Sequence, residues 1–210
     1  MPTEIVPDVF DITCRLEDSG KRYRVFLFTS GTPTMFDAGL PDSSDAVFEG
    51  VDDVGVEPER LIVTHGDGDH IGGFDALVDR YGVETWVPEQ LTDPGTENEP
   101  DHRYGDGDRI GRFTAVHVPG HEPENHVLID EAAGIAVMAD AVSGADQRGL
   151  PVGYFHLPPA VYSENLNQAE ESLARLLDYE FDVGLVFHGS SVTESASEKI
   201  ERYVNFPGKP

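Results

Sequence analysis

The 210-residue chain is long enough to bury a sizeable core, and its 39% hydrophobic content is typical of a globular protein rather than a disordered acidic tail. It carries 40 acidic against 14 basic residues, a formal net charge of −26. This balance provides no Lys and Arg cluster for nucleic acid, and no apolar run approaches the roughly 20 residues of a membrane helix.

Strands precede helices in runs along the chain. Strands are predicted at residues 9–14, 23–28, 35–37, 61–64, 83–87, 113–118, 126–130, 135–138 and 183–187. Helices are predicted at residues 43–54, 72–81, 165–179 and 193–203. Residues 88–108 are rich in Pro, Gly and acids and are predicted to be a loop. The order favours a single α/β domain over residues 1–210, with layered sheets and outer helices.

Four potential metal ligands lie together after the strand at residues 61–64. They are His65, Asp67, Asp69 and His70. The two intervening glycines allow a sharp turn in which these side chains converge. A helix cap would need one acid, not two acids and two histidines. Since Cys14 is the only cysteine, a metal site must use histidine and carboxylate ligands.

Three later strands each end in another potential ligand, namely His121, Asp140 and His188. Taken alone, His121 suits a solvated turn, and Asp140 suits a helix cap or a salt bridge. A charge directly after a buried strand is costly unless it is paired or bound to metal. Because the same design of apolar strand, ligand and turn residue recurs, all the ligands are predicted to lie at one edge of the sheet.

This order resembles the metallo-β-lactamase-fold hydrolases, whose pattern is His-x-His-x-Asp-His after a strand, then His, Asp and His after later strands. The match covers nearly the whole chain, including residues 36–39 and 104–108. The resemblance implies an αβ/βα four-layer sandwich with a dinuclear site at one edge. By position, one metal would be held by His65, Asp67 and His121, the other by Asp69, His70 and His188, with Asp140 bridging them.

Position 67 departs from the family pattern, because Asp67 stands where His is usual. Two divalent ions are implied, with zinc as the expected metal. A carboxylate is a harder ligand and adds a negative charge, which favours iron or manganese. Alternatively, Asp67 does not ligate. Residues 121–126 also lack the family's common Thr and Gly, so substrate contacts cannot be transferred from other members.

The expected activity is hydrolysis of a small acyl substrate, a thioester or lactone, because the chain is only the core domain. Paired metals generate hydroxide near neutral pH, and Asp69 is the catalytic residue expected to orient it and move a proton. A phosphodiesterase or nuclease of the same superfamily is an alternative, although it would normally bring a basic patch or an additional arm. An iron-dependent redox enzyme such as a sulfur dioxygenase and a non-catalytic metal-binding protein are two others.

Histidines and tyrosines outside the ligand set are predicted to have roles in packing or in substrate contact. His117 and His126 are predicted to pack within strands. His156, Tyr154 and Tyr162 fall between the last two ligands, where the family tends to place substrate-facing loops. These three are the predicted substrate contacts.

The acidic composition also bears on the cell that makes the protein. Only three lysines occur, Lys21, Lys199 and Lys209, and a surface this acidic is tolerated where concentrated salt screens it. The first residues lack a basic start followed by an apolar core, so a secretory signal is not expected. These features predict a cytoplasmic protein of a salt-accumulating, archaeal halophile.

Overall fold

A computed structural model describes residues 1–18 and 20–206, and the chain divides into two compact units, Met1–Tyr104 and Gly105–Pro210. None of the described helices is both long and apolar enough to cross a membrane.

The first unit contains a mixed seven-stranded sheet in the order β1 to β7. Its strands are β1 Thr3–Val6, β2 Val9–Leu16, β3 Arg22–Phe28, β4 Thr34–Phe36, β5 Arg60–Ile62, β6 Glu84–Pro88 and β7 His102–Tyr104. Its helices are α1 Ser44–Val54, α2 Gly68–Ile71 and α3 Phe74–Tyr81. Strands β1 to β4 pair antiparallel, and β4 to β7 pair parallel. The parallel strands β4 and β5 therefore end at the same edge.

Helices α1 and α3 bury their apolar stripes in one cluster with residues of β2 and β3. Val47 of α1 and Phe74 of α3 are fully buried there, with Val25 of the sheet. Helix α1 lies so close to β2 that a Cβ on Gly50 would meet Ile12 at 2.3 Å. Each such buried aliphatic or aromatic side chain contributes roughly 1.5–3 kcal/mol. This packing holds the segment between β5 and α3 in place.

The second unit contains a five-stranded sheet in the order β14-β11-β10-β9-β8, and a separate pair, β12 with β13. Its strands are β8 Arg109–Ile110, β9 Phe113–His117, β10 His126–Asp130, β11 Ile135–Val137, β12 Ser143–Gly144, β13 Phe155–His156 and β14 Val183–Leu185. Its α-helices are α4 Leu166–Ser172 and α5 Ala196–Val204, and 3-10 turns occur at Ala145–Arg148, Ala160–Tyr162 and Leu173–Asp178.

Strand directions in this sheet bring three strand ends to one edge. Strand β11 pairs parallel with β14, while β9 and β10, and β10 and β11, pair antiparallel. Strands β9, β11 and β14 therefore run the same way. Buried residues of β9, β10 and β11 pack in one cluster with Leu173, Leu176 and Ile200 of the helical layer.

Most predicted strands occur with bounds within two residues of the prediction. The prediction that residues 88–108 are a loop was wrong at its end, because β7 forms there and pairs parallel with β6. The buried Tyr104 hydroxyl donates to the carbonyl of Val63, 2.7 Å away, which ties β7 to the strand region before the ligands.

Three helix predictions also need correction. The helix predicted at 193–203 begins only at Ala196 and ends at Val204. The helix predicted at 165–179 is α-helical only to Ser172, and the chain then continues as a 3-10 turn. The Ser172 hydroxyl lies within hydrogen-bond distance of the carbonyl oxygens of Ala169 and Pro119. The helix predicted at 72–81 begins at Phe74, and a separate helical turn, α2, covers Gly68–Ile71. Strands β1, β8, β12 and β13 were not predicted, because they are two to four residues long or lie at a sheet edge.

Candidate metal-binding residues

The first unit carries four potential ligands after β5, which we call the first cluster: His65, Asp67, Asp69 and His70. His65 and His70 are buried, whereas the side chains of Asp67 and Asp69 are 38% and 20% exposed. His65 Nε2 lies 3.7 Å from Asp67 Oδ2, and His70 Nε2 lies 4.0 Å from Asp69 Oδ2. Each histidine thus presents Nε2 toward a carboxylate of its own cluster.

The short helix α2 sets the direction of these side chains. It starts after Asp67, whose carbonyl accepts hydrogen bonds from the N–H groups of His70 and Ile71. The following Gly72 could not carry a side chain, because a Cβ there would lie 2.3 Å from the carbonyl oxygen of Gly68. The glycines around the motif therefore allow tight backbone packing as well as a turn.

Asp37, which follows β4, holds the first cluster from within the unit. This fully buried carboxylate accepts hydrogen bonds from the Thr64 N–H at 2.7 Å, the Thr64 hydroxyl at 2.9 Å and His70 Nδ1 at 2.6 Å. Because the Thr64 hydroxyl donates its proton to Asp37, it accepts one from His65 Nδ1, 3.0 Å away. Both histidines therefore keep the Nδ1–H tautomer, which leaves the lone pair on Nε2.

The second unit brings together three potential ligands, the second cluster: His121, Asp140 and His188. They follow β9, β11 and β14, the three strands that end at one edge, and all three are buried. One oxygen, Asp140 Oδ2, lies 3.5 Å from His121 Nε2 and 3.3 Å from His188 Nε2. A single carboxylate oxygen thus faces two imidazoles.

Buried hydrogen bonds hold Asp140 and His121 in position. Asn125, fully buried, accepts from the Asp140 N–H at 3.3 Å and donates to the carbonyl of Val118 at 3.0 Å. His121 Nδ1 lies 3.4 Å from the Ser163 hydroxyl, which donates to the carbonyl of Pro159. His121 therefore has the same arrangement as the histidines of the first cluster, with an oxygen partner at Nδ1.

Hydrogen bonds join the loop after His188 to β12 and to the turn that follows β12. The His188 carbonyl accepts from the Gly144 N–H at 2.8 Å, and the Asp146 carboxylate accepts from both the N–H and the hydroxyl of Ser190 at 2.8 Å each. A Cβ on Gly189 would lie 2.6 Å from the Gly144 carbonyl oxygen, so this approach requires glycine. This contact was not predicted, because Asp146 and Ser190 lie 44 positions apart in the chain.

The donor set fits divalent metal ions. The nitrogen–oxygen separations of 3.3 to 4.0 Å within each cluster exceed the usual 2.7–3.2 Å of a hydrogen bond. Two ligands that each lie about 2.0–2.1 Å from one tetrahedral ion are roughly 3.4 Å apart. Histidines oriented by a partner at Nδ1 are the usual arrangement around such ions. The His and Asp residues of both units therefore include groups that could hold a metal.

The three predicted substrate contacts lie in the second unit. Tyr154 and Tyr162 are exposed, 57% and 61% respectively. His156 is partly buried in β13, where Nδ1 bonds to the Leu157 carbonyl, and burial lowers the pKa of its imidazole. Substrate contact by these residues stays a prediction.

His117 and His126 stack across strands β9 and β10, with ring centroids 4.8 Å apart. His126 is fully buried, and burial lowers its pKa to about 4. His126 Nδ1 bonds to the Glu124 carbonyl, and His117 Nε2 to that of Pro123. Both contacts agree with the packing role predicted for these histidines.

The sequence of this chain is similar to that of a known protein family and to individual proteins. The family model described as the metallo-beta-lactamase superfamily matches residues 23–202. YobT of Bacillus subtilis is 23% identical over 94% of this chain and 91% of its own length. A hydroxyacylglutathione hydrolase of Serratia proteamaculans is 31% identical over 39% of this chain, which spans only 33% of that protein.

Among solved structures, a metallo-beta-lactamase from Pontibacter korlensis is similar with a TM-score of 0.76 and 18% identity, over 98% of this chain and 99% of that one. The predicted α/β fold class is confirmed by this similarity and by the family match.

Proposed function

The chain belongs to the metallo-beta-lactamase superfamily, and we propose that its first and second clusters serve one two-metal centre that hydrolyses a small acyl thioester or lactone. In this proposal His65, Asp67 and His121 hold one ion, Asp69, His70 and His188 hold the other, and Asp140 bridges them.

The orientation of the histidines carries this proposal. His65, His70 and His121 each have an oxygen partner at Nδ1, from Thr64, Asp37 and Ser163 respectively. Each points Nε2 toward an aspartate, as His188 also does. Such an arrangement raises the basicity of Nε2 and fixes its direction, which benefits a metal ligand and has no evident use in a packing histidine.

Two bound divalent ions would supply a hydroxide at neutral pH and polarise the acyl carbonyl. The chain's own part is to orient the substrate and to move the proton. Asp69 is the proposed proton carrier, because its side chain is 20% exposed and lies beside His70 on the helical turn α2. It takes the proton of the attacking water and returns it to the leaving thiolate or alkoxide.

The identity of the metal depends on Asp67. Zinc suits the histidine-rich donor set. With Asp67 as a ligand, the first ion sees one more negative charge than with a third imidazole, and this favours the harder ions manganese and iron. That observation supports a second candidate function, iron-dependent redox chemistry such as sulfur oxidation.

The acyl substrate class is supported by the names of several relatives. The Serratia proteamaculans protein is a hydroxyacylglutathione hydrolase, and it matches 39% of this chain. A thioester is therefore the first substrate to test. The net charge of −26 supports a halophilic origin and a cytoplasmic, salt-rich setting. The lack of a Lys and Arg cluster in the sequence disfavours an anionic polymer as substrate.

The test is elemental analysis of protein purified in molar potassium chloride, followed by assays with thioester, lactone, ester and phosphodiester substrates. The proposal predicts close to two equivalents of metal and turnover of thioesters or lactones. Full metal content without turnover in any assay would contradict it and favour a metal-binding role. Iron with substrate-dependent oxygen consumption would favour the redox alternative.

A further inference from the structure

Exposed apolar side chains are concentrated in one part of the second unit. Among the described residues, nine large hydrophobic side chains are exposed, and five of these fall within residues 150–162, which we call the apolar segment. The five are Leu150 at 55%, Val152 at 67%, Tyr154 at 57%, Val161 at 81% and Tyr162 at 61% exposure. Scattered exposed hydrophobics are ordinary, whereas five within thirteen consecutive residues make this segment a candidate for binding an apolar ligand.

The apolar segment is also free of charged residues. Its sequence, LPVGYFHLPPAVY, contains no Asp, Glu, Lys or Arg, although such residues make up 26% of the chain. Its one histidine is His156, and burial lowers the pKa of that imidazole, which favours the neutral form. An uncharged, exposed stretch in so acidic a protein is not explained by solubility.

Hydrogen bonds on two sides link the apolar segment to the backbone of the second cluster. Before the segment, Gly144 of β12 donates its N–H to the carbonyl of His188 and pairs with Phe155 of β13. After it, Ser163 contacts His121 Nδ1, and the Glu164 N–H donates to the His121 carbonyl at 2.9 Å. The apolar segment is therefore linked to His188 through β12 and to His121 through the two residues that follow the segment.

We propose that the apolar segment binds the hydrocarbon part of the substrate, so that this protein acts on neutral thioesters or lactones carrying an alkyl or aryl acyl group. The inference rests on the proposed acyl hydrolysis and specifies its substrate class. The exposed valines and leucine supply apolar area, and the tyrosine rings supply flat apolar faces. An anionic acyl or thiol group finds no charged partner in this segment.

Three prolines lie within the apolar segment. Pro151, Pro158 and Pro159 restrict its backbone, and residues Ala160–Tyr162 form a 3-10 turn directly before Ser163. Restricting the chain before the substrate arrives reduces the entropy lost on binding. The exposed side chains are thus displayed on a stiffened support rather than on a loose loop.

The experiment measures kcat/KM of the metal-loaded 210-residue chain for straight-chain thioesters of two to ten acyl carbons with one common neutral thiol. Complete burial of a methylene is worth about fourfold in binding. Because this surface is open, we expect kcat/KM to rise about twofold for each added methylene and then to level off. The variant Leu150→Ser/Val161→Ser should lower the ratio of kcat/KM for eight carbons to that for two carbons at least tenfold.

The control is Leu177→Ser, which removes another exposed leucine of the same unit, 40% exposed and outside the apolar segment. It should leave the chain-length profile unchanged. Calorimetry with non-hydrolysable S-alkyl thioethers of the same lengths gives a second readout that does not need turnover. Their dissociation constants should follow the same profile and lose it in the double variant.

The outcomes separate the inference from the proposed function. Turnover with a flat profile, a preference for anionic thioesters, or a profile unchanged in the double variant overturns the apolar assignment and leaves acyl hydrolysis standing. Chain-length-dependent thioether binding without turnover supports the apolar assignment and overturns the proposed hydrolysis. Neither turnover nor binding overturns both.

Discussion

Replacing Asp37 with asparagine tests whether a buried carboxylate orients the first cluster. Asp37 has no solvent exposure and accepts three hydrogen bonds, two from Thr64 and one from His70 Nδ1. The asparagine side chain would keep the shape of the carboxylate but offer one acceptor oxygen in place of two, with an NH₂ group facing donors. One or two of the three donors would then lose their acceptor.

The magnitude follows from these contacts. A hydrogen bond to a charged group contributes about 1.5–3 kcal/mol, and a buried donor without an acceptor adds a desolvation cost. We therefore expect Asp37→Asn to lower the free energy of unfolding by about 3 kcal/mol. For a chain of this length that corresponds to a Tm lower by roughly 6–12 °C. Loss of the partner that orients a ligand should also weaken metal binding about 10- to 100-fold.

The assay combines thermal melting of the metal-free protein in molar potassium chloride with metal titration. Asp101→Asn is the matched control, because Asp101 also accepts from the N–H and hydroxyl of a threonine, Thr85, at 2.9 and 2.8 Å, and contacts no residue of the first cluster. It should lower Tm without changing metal affinity. An Asp37→Asn protein with the metal affinity of the parent, or an equal loss of affinity in Asp101→Asn, would refute the orienting role of Asp37.

Three further predictions concern charge and protonation. Asp67→His should move metal preference toward zinc and shift the pH–rate profile to lower pH, because one negative charge fewer makes the bound water more acidic. Asp67→Asn should weaken the binding of one of the two ions selectively. Superimposable metal titrations and profiles for parent and variants would show that Asp67 is only a turn acid. Burial lowers the pKa of His126 in the folded protein to about 4, against an ordinary 6.5. Its contribution to the free energy of unfolding is therefore complete above pH 6.5, and about 3 kcal/mol of that free energy is lost as the pH falls to 4. His126→Gln should flatten the stability profile in that window, and an unchanged slope on chemical denaturation would contradict the assignment. Tm should rise steeply from 0.1 M to 1 M potassium chloride, because the Debye length falls from about 10 Å to 3 Å around 26 net negative charges. A flat dependence would rule out adaptation to high salt.

The local pattern of the sequence was sufficient to predict the strand ends that carry candidate ligands. Strand β5 precedes the first cluster, and β9, β11 and β14 precede His121, Asp140 and His188. Each of these strands is a buried apolar run followed by a glycine or another turn residue, which is information contained within about ten residues. For the same reason β10 was predicted with its correct bounds, His126–Asp130.

The resemblance already included residues 36–39, but the contacts of the supporting residues could not be predicted, because their partners are distant in the chain. Asp37 bonds to Thr64 across 27 positions, and Asp146 bonds to Ser190 across 44. An aspartate after a strand has many ordinary uses, and only the parallel pairing of β4 with β5 places Asp37 beside the first cluster. Strand β7 was missed because tertiary pairing with β6 overrides a local composition rich in Pro and acids.

Metal counting in two matched variants tests most directly whether Asp140 bridges a two-metal centre. Asp130 is an equally buried aspartate of the same unit, 2% against 4% exposed, but it pairs with Arg112 Nε at 2.9 Å. After equilibrium dialysis and elemental analysis, the parent and Asp130→Asn should each retain close to two ions per chain, and Asp140→Asn should retain fewer than one. Two ions retained by a folded Asp140→Asn protein would contradict the bridging role and the two-metal centre built on it.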